Sequence, residues 1–132
     1  MRLTVHVDGG ARGNPGPAAI AAVITADGGE VIDSGAQVIG RATNNVAEYR
    51  ALIFGIERAT ALGGTELDLV GDSELVVKQV RGEYRVKDPN LKPLHAAVMS
   101  ALGDVDSWSI RHVRRDHNAH ADELVNEALD AG

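Results

Sequence analysis

The sequence predicts an α/β domain with a five-stranded mixed sheet, in which three antiparallel strands are followed by two parallel ones, with helices on both faces. Two observations predict this fold. The first forty residues are β-prone runs broken at turns, and from Asn44 onward helical periodicity alternates with short apolar runs. The predicted element order is βββαβααβα.

The chain has the size and composition of one domain. It contains 132 residues, of which 44% are hydrophobic, and no internal repeat or linker divides it. We therefore expect residues 1–132 to form a single domain, which could be the N-terminal domain of a longer natural protein.

The first three strands are predicted to form an antiparallel meander. Residues 3–8 alternate and are rich in valine, and residues 18–25 and 30–39 are two further β-prone runs. The turn sequence Asp27-Gly28-Gly29 separates the second run from the third, as expected of a hairpin. Asp8 is expected to close the first strand.

The second part of the chain alternates helices with two more strands. An apolar stripe at helical spacing begins after Asn44 and ends at Gly63-Gly64. We then expect a strand at 66–71, a helix from about 72 to 81, a helix at 89–102, a strand at 108–113 and a last helix at 118–131.

Composition narrows the class of protein. There is no cysteine, so disulfides and thiolate metal sites are excluded, and we expect a cytoplasmic protein. The longest apolar stretch, residues 18–26, is about half as long as a membrane span requires, so no membrane partner is expected.

The charge balance by itself argues against a nucleic-acid partner. The net charge is −6, whereas phosphate backbones are bound largely through Lys and Arg. Charge is segregated locally, however. Residues 78–92 carry five cations against two acids, and we expect either a solvated helix edge or a substrate-facing patch there; the cations are Lys78, Arg81, Arg85, Lys87 and Lys92.

Four acids stand at the ends of predicted elements, and each has an ordinary structural explanation. An aspartate before Gly-Gly, as at Asp8, often makes an Asx turn. Glu48 fits the last position of a capping box that Asn45 begins. Asp72 fits an N-cap, and Asp122 fits a first-turn acid favoured by the helix dipole. None of the four is compelling alone.

Taken together, the positions of these acids favour a metal site. Glu48 lies at the end of a helix face that otherwise points inward, where an unpaired carboxylate is costly. Asp8 and Asp72 both follow strands, and parallel neighbours would bring them to one sheet edge, where open α/β sheets bind ligands. With Asp122 they form an oxygen-only set that suits Mg²⁺ or Mn²⁺, and a pair of such ions supports displacement at phosphorus. The implied chemistry is phosphodiester hydrolysis.

Four fragments resemble the type 1 ribonuclease H family. They are "DGGARGNPGP", "ATNNVAEYRAL", "GDSELVV" and "NAHADELVNEAL", in the family's order, and the likeness runs from about residue 3 to 131. The element order predicted above is also that of the family. The short final motif, "RRDHNAHAD", is most similar to the archaeal and actinobacterial branch. The strongly basic, Trp-containing protrusion of many bacterial members is missing.

The resemblance implies an enzyme and its site. It implies an endoribonuclease that hydrolyses the RNA strand of RNA/DNA hybrids with two Mg²⁺ or Mn²⁺ ions, leaving 5′-phosphate and 3′-hydroxyl ends. Asp8, Glu48, Asp72 and Asp122 match the family's metal-binding and catalytic acids. The expected partner is an RNA/DNA hybrid, and nothing in the sequence suggests more than a monomer.

The resemblance also implies a substrate-binding surface. The loop after the first strand would run beside the sugar-phosphate backbone, where glycines allow close approach of backbone N–H groups and prolines hold the bend. Asparagine amides can donate and accept, and so can contact base edges and 2′-hydroxyls, although Asn45 also fits a helix cap. The expected substrate-binding residues are Gly9, Gly10, Asn14, Asn44, Asn45 and Ser73.

The loop before the last helix departs from the family pattern, which usually supplies a mobile histidine. Counting back ten residues from Asp122 reaches His112, inside a predicted strand, where we expect a packed structural histidine. The shortened loop instead places Arg115 there, with His117 as the other group that titrates near neutrality. Arginine could steady a phosphate but could not shuttle a proton. Arg115 and, after it, His117 are the additional catalytic candidates.

Two other functions stay open at this point. A structure-specific DNA nuclease could use the same fold, since fold and acids do not fix the substrate. A hybrid-binding module without catalysis would be expected to have lost one or more of the four acids, and all four are present.

Overall fold

Five strands and four helices follow one another in the predicted order. The computed structural model describes all 132 residues. The strands are β1 (Arg2–Ala11), β2 (Gly16–Ala26), β3 (Val31–Ala42), β4 (Glu66–Gly71) and β5 (Ser107–His112). The helices are α1 (Asn44–Ala61), α2 (Glu74–Val80), α3 (Lys92–Leu102) and α4 (Ala119–Ala131), and a short 3₁₀ turn (Arg115–Asn118) precedes α4.

The sheet has β1 at its centre and the strand order β3-β2-β1-β4-β5. The β1–β2 and β2–β3 pairs are antiparallel, and the β1–β4 and β4–β5 pairs are parallel. The predicted five-stranded mixed sheet is therefore confirmed. Because β1 and β4 run in the same direction, the residues that follow their pairing emerge at the same edge of the sheet.

The first strand does not end at Asp8, so that expectation is wrong. β1 stays paired with β2 as far as the Ala11–Ala18 pair, whereas its pairing with β4 ends at His6–Val70. The glycines after Asp8 continue the strand because the β2 ladder satisfies their backbone groups. Asp8 therefore lies beyond the end of the pairing with β4, while the pairing with β2 still holds its backbone in place.

Helices cover both faces of the sheet, as predicted. A main core of 20 buried residues lies between the sheet and helices α1, α2 and α3. On the opposite face, Val125 of α4 packs on Ala19 and Ala21 of β2. Each fully buried Val, Leu or Ile side chain contributes roughly 1.5–3 kcal/mol. The alanines of β2 allow α4 to lie close to the sheet.

One buried polar contact joins α1 to α2. The hydroxyl of Tyr49, which is fully buried, donates to Oε1 of Gln79 at 2.6 Å. A buried hydroxyl without a partner would cost about 1–3 kcal/mol. The bond therefore fixes the position of α1 beside the helix that follows Asp72.

Several element boundaries differ from the prediction. β3 extends to Ala42, and α3 begins at Lys92 rather than near residue 89. Residues 88–91 instead form a turn in which the Leu91 N–H donates to the carbonyl of Asp88 at 3.0 Å. None of the helices has the length and apolar character that crossing a membrane would require.

Candidate active site

Three carboxylates meet where β1, α1 and the end of β4 come together. One oxygen from each of Asp8, Glu48 and Asp72 lies within 4.8 Å of the others. Asp8 is 4% exposed, and the side chain of Asp72 is 5% exposed. Asp122 lines the same cleft, which has a volume of about 420 Å³, but lies outside this group of three. The structure thus brings all four predicted acids to one cleft.

Glu48 reaches the central strand because α1 packs directly on it. The N–H of Gly9 donates to Oε1 of Glu48 at 3.3 Å. A Cβ atom at Gly9 would collide with the main-chain carbonyl of Ala47, so only glycine allows this approach. The packing of the protein itself therefore requires this glycine, a reason that the sequence did not reveal.

The two helix caps near the acids differ from those predicted. Thr43 caps α1 by accepting the Val46 N–H at 3.2 Å, so the capping box between Asn45 and Glu48 is wrong. The N-cap of α2 is Ser73 rather than Asp72. Glu48 and Asp72 therefore take no part in capping, because the hydroxyls of Thr43 and Ser73 cap the two helices.

Crowding and burial make the acids resist ionisation. The pKa of Asp8 is raised to about 8, mainly by burial and additionally by the charges of Asp72 and Asp122. Burial also raises the pKa of Glu48 well above its ordinary value, and the charges of Asp8 and Asp72 act in the same direction. A nearby cation is therefore needed for the cluster to carry its full negative charge.

The donor set fits hard divalent cations. Every potential ligand is a carboxylate oxygen, and such sets suit Mg²⁺ or Mn²⁺. Oδ2 of Asp72 is buried and has no hydrogen-bond partner. Nε of Arg115 lies 3.9 Å from it, too far for a hydrogen bond. A buried carboxylate oxygen in this state is costly, and a bound cation would remove that cost.

The asparagines form a second layer beside the acids. Oδ1 of Asn14 accepts the Asn44 N–H at 3.0 Å, and Oδ1 of Asn44 accepts the Ala11 N–H at 2.9 Å. Their side-chain NH₂ groups make no hydrogen bond within the protein. The predicted substrate-binding residues that line the acid cleft are Gly9, Gly10, Asn44, Asn45 and Ser73, and Asn14 lies next to it.

The two additional catalytic candidates, Arg115 and His117, lie in different places relative to the acids. Arg115 lines the acid cleft, and its side chain is 78% exposed. His117 lines a separate groove together with His6 and His120, with Nε2 3.9 Å from a carboxylate oxygen of Asp116. The structure therefore brings Arg115, but not His117, to the acids.

His112 is exposed at the end of β5, so the expectation of a packed histidine is wrong. The alternation that buries Ile110 gives His112 the same side of the strand. However, β5 is an edge strand that ends at this residue, and no element covers it.

Three basic residues of the segment 78–92 line a groove separate from the acid cleft. Arg81, Arg85 and Lys92 line a groove of about 610 Å³ together with Trp108. This groove shares no lining residue with the acid cleft. These three basic residues therefore lie apart from the four acids.

Sequence reasoning missed two residues near the acids. The buried Asn118 donates from Nδ2 to the carbonyl of Val7 at 2.8 Å. Its spacing of four residues from Asp122 was a signal, because it places both on one helix face. Arg12 lines the acid cleft, but one of its partners lies 114 residues away along the chain, so no local pattern could reveal it.

The fold and the oxygen-only cluster define an α/β protein whose buried carboxylates suit divalent metal ions. Sequence comparison specifies the class further, because the "Reverse transcriptase-like" family profile matches residues 6–128. Ribonuclease HI of Halobacterium salinarum is 46% identical over 129 residues, which are 98% of this chain and 65% of that protein. The chain thus spans less than two thirds of the length of this curated relative.

Two solved structures are similar over almost their full length. The crystal structure of RNase H1 from Halobacterium salinarum is 45% identical, with a TM-score of 0.98 and coverage of 100% of both chains. LC11-RNase H1, solved in complex with an RNA/DNA hybrid, is 43% identical, with a TM-score of 0.94 and coverage of 98% of this chain and 97% of that one. The chain therefore belongs to the ribonuclease H family. This family depends on divalent metal ions.

Proposed function

We propose that this protein is an endoribonuclease that hydrolyses the RNA strand of RNA/DNA hybrids, using two Mg²⁺ or Mn²⁺ ions and leaving 5′-phosphate and 3′-hydroxyl ends. The observation that carries the proposal is the cluster of Asp8, Glu48 and Asp72, whose oxygens lie within 4.8 Å of one another. Support also comes from the similarity to LC11-RNase H1, which was solved with a hybrid bound.

The four acids would hold the ions. When bound, the ions supply an activated water and charge stabilisation for the leaving 3′-oxygen. Asp8 is the best candidate for a ligand shared by both ions, because its charge interacts with those of Asp72 and Asp122 and its side chain lies beside Glu48. Asp122 completes the set from α4, on the opposite face of the sheet from α1.

The asparagines would recognise the substrate. The side-chain oxygens of Asn14 and Asn44 accept hydrogen bonds from backbone N–H groups of the protein. Their NH₂ groups are therefore the part of each amide that is left to donate to a substrate. A donor of this kind suits a 2′-hydroxyl oxygen or a base acceptor in a shallow minor groove. Asn45, Gly9, Gly10 and Ser73 would provide the remaining contacts along the cleft.

Arg115 would assist the chemistry at the edge of the acid cluster. Its side chain is mostly exposed and lies near the unpaired oxygen of Asp72. In this position a guanidinium can stabilise charge on the reacting phosphate. His117 is a weaker candidate, because reaching the acids would require its loop to move.

We further propose that the domain acts as a cytoplasmic monomer. All of the residues assigned above come from one chain, so the site does not need a second copy to be complete. The chain contains no cysteine, which is consistent with a reducing compartment.

Cleavage of end-labelled substrates tests the function. An RNA/DNA hybrid, duplex RNA and duplex DNA should each be incubated with Mg²⁺ and with Mn²⁺, and the product ends should be mapped. We expect cleavage of the RNA strand of the hybrid and none of duplex DNA. Cleavage of duplex DNA in place of the hybrid would indicate a DNA nuclease. Hybrid binding without cleavage in either metal would indicate a binding module.

A further inference from the structure

Arg12 extends the acid cleft beyond the metal-binding acids. It follows the last residue of β1 and lines the same cleft as Asp122 and Asn126. Asn126 lies four residues after Asp122 on α4, about one helical turn of 5.4 Å. The cleft therefore continues from the acids toward the guanidinium of Arg12.

The guanidinium of Arg12 makes two contacts, both with residues of α4. Its Nη2 lies 2.7 Å from Oδ1 of Asp130 and 3.4 Å from the main-chain oxygen of Asn126. The side chains of Arg12 and Asp130 are 48% and 68% exposed. An ion pair this exposed contributes little to stability. The pair therefore orients the guanidinium rather than stabilising the fold.

The acidic and basic side chains are arranged in order along the cleft. Six charged side chains line it: four acids and two arginines, Arg12 and Arg115. Arg115 lies beside Asp72, whereas Arg12 lies at the far end, beside α4. A polyanion that enters the cleft would meet the metal-binding acids in the middle and one cation toward each end.

We propose that Arg12 binds a backbone phosphate of the RNA strand, within a few nucleotides of the bond that is cleaved. This inference rests on the proposed function. Arg12 lines the cleft, and its guanidinium can exchange the exposed Asp130 for a phosphate, which it contacts through two parallel N–H groups. The RNA strand is the partner because the cleft is continuous with the acids that would cut it.

The first test is steady-state cleavage of a hybrid over a range of salt concentrations. We expect Arg12→Ala to raise KM several-fold with kcat within two-fold of wild type. The slope of log KM against log salt should fall by about one, because one phosphate contact is lost. A KM and salt slope equal to those of wild type would overturn the inference.

Two matched variants separate binding from structure. Arg2 also forms an exposed pair, with Asp68 at 2.9 Å, but at the opposite end of β1 and outside the cleft. Arg2→Ala should leave KM unchanged although it removes the same charge. Asp130→Ala breaks the pair but keeps the cation, so its KM should equal or fall below that of wild type. If Asp130→Ala raised KM as much as Arg12→Ala does, the role would be structural and the inference wrong.

A substrate-side test identifies the phosphate. Each hybrid of a series should carry a single uncharged methylphosphonate linkage next to a 2′-deoxynucleotide, and the linkage should move by one position along the RNA strand from one hybrid to the next. The control for each position keeps the 2′-deoxynucleotide but has a normal phosphate. We expect one position to weaken wild-type binding but not that of Arg12→Ala. Equal losses for both proteins at every position would overturn the inference. Failure of the wild-type protein to cleave any hybrid would instead overturn the proposed function.

Discussion

The side chain of Asn118 donates a hydrogen bond to the carbonyl of Val7 at 2.8 Å and so ties the start of α4 to the central strand. Val7 immediately precedes Asp8, and Asp122 lies four residues, or about one helical turn, after Asn118. One buried amide therefore sets the distance between an acid of the strand and an acid of the helix.

Asn118→Ala should lower both stability and metal affinity. The variant leaves the Val7 carbonyl without its partner in the interior, which costs about 1–3 kcal/mol. Loss of the tether should also raise the Mg²⁺ concentration needed for half-maximal cleavage, because Asp122 is less firmly placed. Thermal unfolding and a Mg²⁺ titration measure the two effects. Asn90→Ala, at an exposed asparagine, is the control, and an unchanged Tm for Asn118→Ala would show that the bond is not important.

Asp8→Asn and Asp72→Asn should each nearly abolish turnover. Both remove a charge from the metal-binding cluster, and we expect less than about a tenth of the wild-type kcat. The metal-free variants should be as stable as wild type or more stable, because one source of repulsion among buried carboxylates is gone. Single-turnover cleavage and unfolding in EDTA provide the measurements, with Asp104→Asn as an exposed control. Substantial turnover in either variant would remove that acid from the site.

The stability of the metal-free protein should fall as the pH rises toward 8. The pKa of Asp8 is about 8 in the folded protein, against an ordinary value of 3.8. The folded state therefore holds this proton more tightly than the unfolded chain does. The stability that protonated Asp8 contributes is fully present below about pH 3.8 and is lost as the pH rises through about 8.

Denaturant unfolding in EDTA between about pH 5 and 8 measures this dependence. We expect a smaller decrease for Asp8→Asn than for wild type, and saturating Mg²⁺ should suppress the decrease. Identical pH profiles for wild type and Asp8→Asn would contradict the assignment of the raised pKa.

Gly9→Ala should destabilise the fold, whereas Gly10→Ala should not. A Cβ at position 9 would collide with the backbone of α1, and overpacking of this kind costs about 1–3 kcal/mol. At position 10 the added Cβ would meet only a methyl group of Val125 at 3.8 Å, an ordinary contact, so the change should stay within about 0.5 kcal/mol. Chemical denaturation of the two variants compares neighbouring glycines directly. Equal stability would show that α1 can move away from the strand.

Arg115→Ala should lower kcat by about ten-fold or more, as expected for loss of charge stabilisation near the reacting phosphate. His117→Ala should have a smaller effect, because His117 lines a different groove. His112→Ala should change neither kcat nor stability appreciably, since this histidine is exposed. Measuring kcat at saturating Mg²⁺ compares the three. A large loss in His117→Ala with nearly normal Arg115→Ala would return the role to a histidine.

Local patterns in the sequence determined the order of elements and the candidate acids. Period-two and helical patterns reflect which faces of each element are buried, so the types of all nine main elements could be predicted. Asp8, Glu48, Asp72 and Asp122 were recognisable because carboxylates at element ends are unusual when they recur in one chain and match a family's motifs.

Only the tertiary structure decided contacts between segments distant in the sequence. The extension of β1 past Asp8 depends on its pairing with β2, and the need for glycine at position 9 depends on where α1 packs. The exposure of His112 depends on β5 being an edge strand, and the orientation of Arg12 depends on Asp130 at the end of α4. Periodicity carries information about a residue's neighbours within about one helical turn, whereas these features arise from pairing and packing between elements, which only the folded chain brings together.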